Sequence, residues 1–82
     1  MQVLYFAWMR ERIGQASEEV DPGAATTARE LIEVLKPRSE GHALAFENLR
    51  AVRCAVDQEM GDLDMPIAGA REVAFFPPVT GG

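Results

Sequence analysis

The 82-residue chain has one cysteine and one histidine, and each scarcity removes a class of chemistry. Cys54 has no partner for an internal disulfide, so nothing here is a disulfide scaffold. His42 and Cys54 lie far apart in sequence, and a zinc site asks for three or four such ligands at short spacing. Basic residues are few: 8 Lys and Arg against 13 Asp and Glu, a net charge of −5. That balance excludes the basic footprint of a nucleic-acid binder. It suits docking on a basic protein surface, or solubility alone. No apolar run approaches the roughly 20 residues that span a bilayer. No basic segment followed by an apolar stretch marks a secretory signal. A soluble protein of the reducing cytoplasm is expected, with neither a membrane nor a nucleic-acid partner. Gly61 and Gly69 belong to no phosphate loop or dinucleotide fingerprint. Asp62 and Asp64 flank Leu63 on a turn-rich loop, and two carboxylates do not make a calcium loop. No metal ligand is expected.

What is present is a core. Hydrophobic residues make up 48 % of the chain, enough for one small globular domain and no second one. Repeats, low-complexity tracts and internal linkers are absent.

Gln2 to Trp8 reads as a strand, since Val3, Leu4, Tyr5, Phe6, Ala7 and Trp8 are all apolar or aromatic. Gly14 marks a turn. Ser17 to Asp21 reads as a second strand closed by Asp21-Pro22-Gly23, which suggests a hairpin with the first. Thr27 followed by Glu30 matches a capping box. Ala28, Leu31, Ile32 and Leu35 then recur at helical spacing, and Pro37 stops the helix. Gly41 to Leu49 reads either as a short second helix or as a packed loop. Ala51 to Gln58 is a strand with Val52, Cys54 and Val56 on one face. Gly61 to Pro66 is a loop, with Ile67 its anchor. Gly69-Ala70 turns the chain into a last strand, Arg71 to Phe76.

Strand, strand, helix, strand and a final strand is the order of a β-grasp fold, class α+β. The mixed sheet packs on one main helix, and the first and last strands run side by side and parallel. An all-α fold needs more helical periodicity than this chain has, and a ferredoxin-like fold needs a second full helix. The domain is expected to span residues 1–76, with 77–82 a flexible Gly-Gly tail.

Alternation places Leu4, Phe6, Trp8, Ala74 and Phe76 on the sheet face away from the helix. A single layer covered on one side should be polar on the other. An apolar outer face marks either a partner site or a place covered by a loop such as Gly41 to Leu49. Cys54 faces inward as a small apolar filler rather than a reactive thiol. Glu18-Glu19 and Arg10 to Arg12 read as solvated charge, with Arg10 and Arg12 also available to a partner.

The last residues carry the strongest signal. Phe75-Phe76-Pro77-Pro78-Val79-Thr80-Gly81-Gly82 runs from an apolar strand through a stiff Pro-Pro to two glycines. Pro-Pro favours an extended path, and glycine lets a backbone enter a slot that a side chain would block. From Phe76 onward this segment reaches roughly 20 Å when fully extended. It reads as an arm that delivers a carboxylate into another protein's active site; a frayed end is the alternative. With no other catalytic set, that carboxylate is the candidate reactive group. Joined to AMP it becomes a mixed anhydride. A sulfur nucleophile then gives a thiocarboxylate, and an amine gives an amide.

Residues Glu72 to Gly82 closely resemble the end of the small subunit of molybdopterin synthase. The likeness extends more loosely over Val3 to Ala7, Arg10, Gly14, the capped helix and Ala55-Val56-Asp57-Gln58. Members of that family are ubiquitin-like sulfur carriers with no expected activity alone. The resemblance implies three partners: the large synthase subunit, an adenylating enzyme and a sulfur donor protein. It implies no permanently bound cofactor; the activating partner uses ATP with magnesium and leaves a transient C-terminal AMP. Gly82 would carry the sulfur and Gly81 would let it pass. Two sulfurs would be added to precursor Z to form the molybdopterin dithiolene. The family's docking patch maps to Phe6, Met60 and Phe76, with Pro77, Pro78, Val79 and Thr80 leading into the partner. Met60 comes from the resemblance alone. Asp57 departs from the pattern, where asparagine is usual. Three other readings stay open: a carrier for thiazole or tRNA thiolation, a ubiquitin-like modifier that forms isopeptide bonds, and a plain interaction module. A free chain, a pair with the adenylating enzyme and a heterotetramer are all compatible with the sequence.

Overall fold

The computed structural model describes residues 1–78. Five strands, β1 (Gln2–Tyr5), β2 (Ser17–Glu19), β3 (Arg53–Val56), β4 (Glu59–Gly61) and β5 (Glu72–Phe76), form one mixed sheet. Their order is β2-β1-β5-β3-β4. Three helices accompany them: α1 (Ala7–Ile13), α2 (Ala28–Leu35) and α3 (Glu40–Ala45). β1 and β5 are parallel neighbours at the centre, and their other pairings are antiparallel. This is the β-grasp arrangement.

The main helix, α2, forms where capping and periodicity place it. The Thr27 side chain accepts from the Glu30 backbone N–H, and the Glu30 carboxylate accepts from the Thr26 N–H and hydroxyl. Ala28, Leu31, Ile32 and Leu35 are each 0 % exposed and form the stripe that packs on the sheet. Pro37 sits in a 3₁₀ turn, Lys36–Arg38, that ends the helix. From the inner face Val3, Tyr5, Cys54, Val73 and Phe75 complete the core with Met9, Phe46 and Ile67. Burying each large apolar side chain contributes about 1.5–3 kcal/mol. The 62–67 loop is tied to the start of α2, because Ala28 N–H donates to the Met65 carbonyl and Arg29 N–H to the Leu63 carbonyl.

The structure corrects four expectations. The first strand stops at Tyr5 instead of Trp8. Ala7 takes φ +54°, a left-handed bend that breaks the ladder and opens α1. Trp8 therefore lies on α1, with the Arg12 guanidinium 4.6 Å from its ring centre, and not on the outer sheet face. The first two strands pair antiparallel as expected, but α1 connects them, so they are no tight hairpin. Gly61 belongs to β4, which pairs with β3 across the two-residue turn Asp57-Gln58. Both turn residues have positive φ, +49° and +71°, the geometry that matches the twist of a hairpin. Of the two readings open for the segment after Pro37, the short helix is the one found: Ser39 caps α3 by accepting from His42 N–H.

The fourth correction is Glu18, which is not solvated. Its side chain is 9 % exposed and bridges three elements. Tyr5 Oη donates to Oε2 at 2.7 Å, His42 Nε2 lies 2.6 Å from the same oxygen, and Arg38 meets Oε1 at 3.0 Å. A carboxylate only accepts, so Nε2 carries a proton; Ser39 Oγ is 2.7 Å from the other ring nitrogen. His42 thus serves as a core residue, with its polar atoms satisfied.

Candidate functional site

Strand register assembles the outer face. Leu4 pairs with Ala74, Ala74 with Ala55, and Ala55 with Met60. Directly paired residues point to the same side of a sheet, so these four make one apolar row across four strands. Phe76 belongs to the same face two residues along β5, opposite Arg53. Phe6 continues β1 by parity, and its N–H donates to the Phe75 carbonyl at 3.2 Å, which holds it beside the end of β5. Gln2, Glu19, Glu72 and Arg53 give the face a polar rim.

The apolar groups on this face are poorly covered. Met60 is 68 % exposed and Phe6 46 %, while Leu4 and Phe76 are half-buried. Ala55 and Ala74 are both 8 % exposed and make a low floor between larger neighbours. The α3 segment does not lie over them: α3 packs against α1, where Gly41 meets the Arg12 carbonyl. The expected outward positions of Phe6 and Phe76 are found, and Met60 joins their face through the register. Trp8 does not.

The same face is the root of the tail. β5 is the central strand, paired on both sides, and Pro77 and Pro78 follow Phe76 directly without joining any regular element. Val79, Thr80, Gly81 and Gly82 lie outside the described residues.

Other chemistry is sparse among the described residues. No group of three His, Cys, Asp or Glu side chains is placed to hold a metal. Cys54 is wholly buried, and its thiol points at the Asp62 carbonyl, 3.3 Å away. Burial, with the Asp62 charge nearby, pushes its pKa up, so it remains a thiol and a poor nucleophile. A shallow cleft of about 400 Å³ is lined by Asp57, Gln58, Arg71 and Glu72. It lies at the opposite end of β5 from Phe76, roughly 13 Å along the strand. Of its two carboxylates, that of Asp57 is engaged, since Oδ1 accepts from the backbone N–H groups of Arg71 and Glu72 at 2.9 and 3.0 Å. No helix of the described residues is long and apolar enough to cross a membrane.

Comparison with known proteins bears on the family and the fold. The ThiS family matches residues 3–82. The molybdopterin synthase sulfur carrier subunit of Escherichia coli is 39 % identical over 82 residues, covering 100 % of this chain and 99 % of the relative. That of Haemophilus influenzae is 37 % identical with the same coverage of both chains. Among solved structures, SAMP1 from Haloferax volcanii superimposes with a TM-score of 0.71 at 25 % identity, covering 100 % of this chain and 98 % of that one. A Pyrococcus furiosus protein described as molybdopterin converting factor, subunit 1, gives 0.71 at 28 % identity, with 95 % of each chain covered.

Proposed function

The chain belongs to the ThiS family, and from that premise we propose that it is the sulfur carrier subunit of a molybdopterin synthase. The observation that carries this reading is the pairing of two features on one strand. β5 presents Phe76 on the apolar outer face and then passes straight into Pro77-Pro78 and the Gly-Gly end. A partner that seats on Phe6, Met60 and Phe76 therefore meets the root of the arm at a fixed point.

The reactive group is the carboxylate of Gly82. An adenylating partner uses ATP and magnesium to join it to AMP, releasing pyrophosphate. A sulfide-level sulfur nucleophile delivered by a donor protein attacks the carbonyl carbon, the bond to AMP breaks, and a thiocarboxylate remains. Docked on the large subunit, the arm hands that sulfur to precursor Z, and two such transfers complete the dithiolene. The sheet holds the docking face rigid, and the small Gly81 admits the end to a narrow channel. In this reading the acid, base and metal of these steps come from the partners.

Mass spectrometry of the chain after incubation with an adenylating enzyme, ATP and a sulfur donor tests the reading. The expected product has one terminal oxygen of Gly82 replaced by sulfur, and deletion of Gly82 abolishes it while the fold remains. An unmodified end beside an active control carrier would remove the carrier function. Lysine-linked adducts would make the chain a protein modifier instead.

A further inference from the structure

Met60 stands apart from the other three methionines. Met9 is 0 % exposed in the core, Met1 and Met65 are half-buried against it, and Met60 is 68 % exposed. It lies on the edge strand β4, and its register neighbours across the face are Ala55, Ala74 and Leu4. The two alanines offer no side chain tall enough to shield the thioether. The most accessible sulfur in the described residues therefore sits on the surface that docks the partner.

We propose that Met60 is a reversible oxidation site that governs docking of the large subunit. This rests on the docking role given to the outer face above. A peroxide transfers one oxygen atom to the Met60 sulfur. The thioether loses two electrons and becomes a sulfoxide, the peroxide is reduced to water, and no bond of the chain breaks. The sulfoxide oxygen is a strong hydrogen-bond acceptor. Leu4, Ala55 and Ala74 carry no side-chain donor for it. Seating an apolar partner surface over this row strips the oxygen of water and gives nothing in return, so the oxidised carrier binds less well. Methionine sulfoxide reductases reverse the change. The exposure differences set the order of reaction, with Met60 first and Met9 last.

The test treats the full chain with dilute hydrogen peroxide and maps all four methionines by peptide mass. Affinity for the large subunit is then measured calorimetrically before treatment, after it, and after reductase. Met60→Leu is treated in parallel, and untreated Phe76→Asp serves as the docking control. The expected result is oxidation of Met60 ahead of Met1 and Met65. A loss of affinity of about tenfold or more should follow, and it should be restored by the reductase. Met60→Leu should show a before-to-after ratio of one. Equal oxidation of Met65 and Met60 overturns the site. Unchanged affinity of the Met60 sulfoxide, with Phe76→Asp still weakened, overturns the proposal and leaves the docking reading standing. Parent-like binding by Phe76→Asp as well removes both.

Discussion

His42 Nε2 lies 2.6 Å from Glu18 Oε2, tying α3 to β2 across 24 residues of sequence. Both side chains are at least nine-tenths buried, and Tyr5 and Arg38 complete the set. Removing the shared carboxylate leaves the buried Tyr5 hydroxyl and His42 Nε2 without their partner, while Arg38, 40 % exposed, turns to water. Glu18→Ala should cost about 3 kcal/mol in a denaturant titration. A loss below about 0.5 kcal/mol would mean that the network adds nothing to stability.

The same carboxylate sets an acid limit. Burial alone would raise the Glu18 pKa. Hydrogen bonds from His42 and Tyr5, with His42 and Arg38 close by, outweigh burial and hold it below the usual carboxylate range. A depressed folded value stabilises in full above the unfolded value of about 4.3, and that contribution disappears as pH falls through the lower folded value. Stability measured from pH 7 down to pH 3 should therefore fall more steeply in the parent than in Glu18→Gln. Parallel curves would show that Glu18 does not titrate with folding.

Asp57 clamps the start of β5 to the β3–β4 turn through two backbone N–H groups. An amide oxygen can accept the same two bonds, so Asp57→Asn should be nearly neutral while Asp57→Ala loses about 1–3 kcal/mol. Thermal melts of the two variants decide it. Equal losses would mean that charge, and not acceptance, is what matters there.

Gly41→Ala opposes two effects of known size. Alanine favours a helix over glycine by about 1 kcal/mol. A Cβ at position 41, however, overlaps the Arg12 carbonyl oxygen, which is backbone and cannot swing aside. Overpacking typically costs about 1–3 kcal/mol, so the variant should be destabilised, and a stabilised one would mean that α1 and α3 can separate freely.

Phe76→Asp should weaken large-subunit binding by at least about tenfold with circular dichroism unchanged, since Phe76 is half-buried at the end of its strand. Unchanged affinity would take Phe76 out of the docking face.

Legibility in the sequence followed the strength of local patterns. α2 carries a capping box, a stripe with four wholly buried positions and a proline stop, and all three appear in the structure. The parallel β1–β5 pair and the outward parity of Phe6 and Phe76 follow from alternation in two strongly apolar strands. α1 was illegible for a physical reason. It opens on a left-handed alanine with no side-chain cap and fully buries only Met9, so it has no periodic stripe. β4 is three exposed residues, which leaves no alternation to read. Glu18 looks solvated because its partners come from β1, the 3₁₀ turn and α3, all distant in sequence. Met60 has no local signal for a docking role; its membership of the face is a property of register, and only family resemblance pointed to it.

β5 lies between a parallel and an antiparallel neighbour, and the tail leaves directly from its end. A pull along that tail loads two ladders at once and in shear, so their hydrogen bonds resist together instead of parting one by one as in a peeled edge. Mechanically the protein is an anchored tether. A load drawn on the end of the chain would leave the apolar outer face in shape.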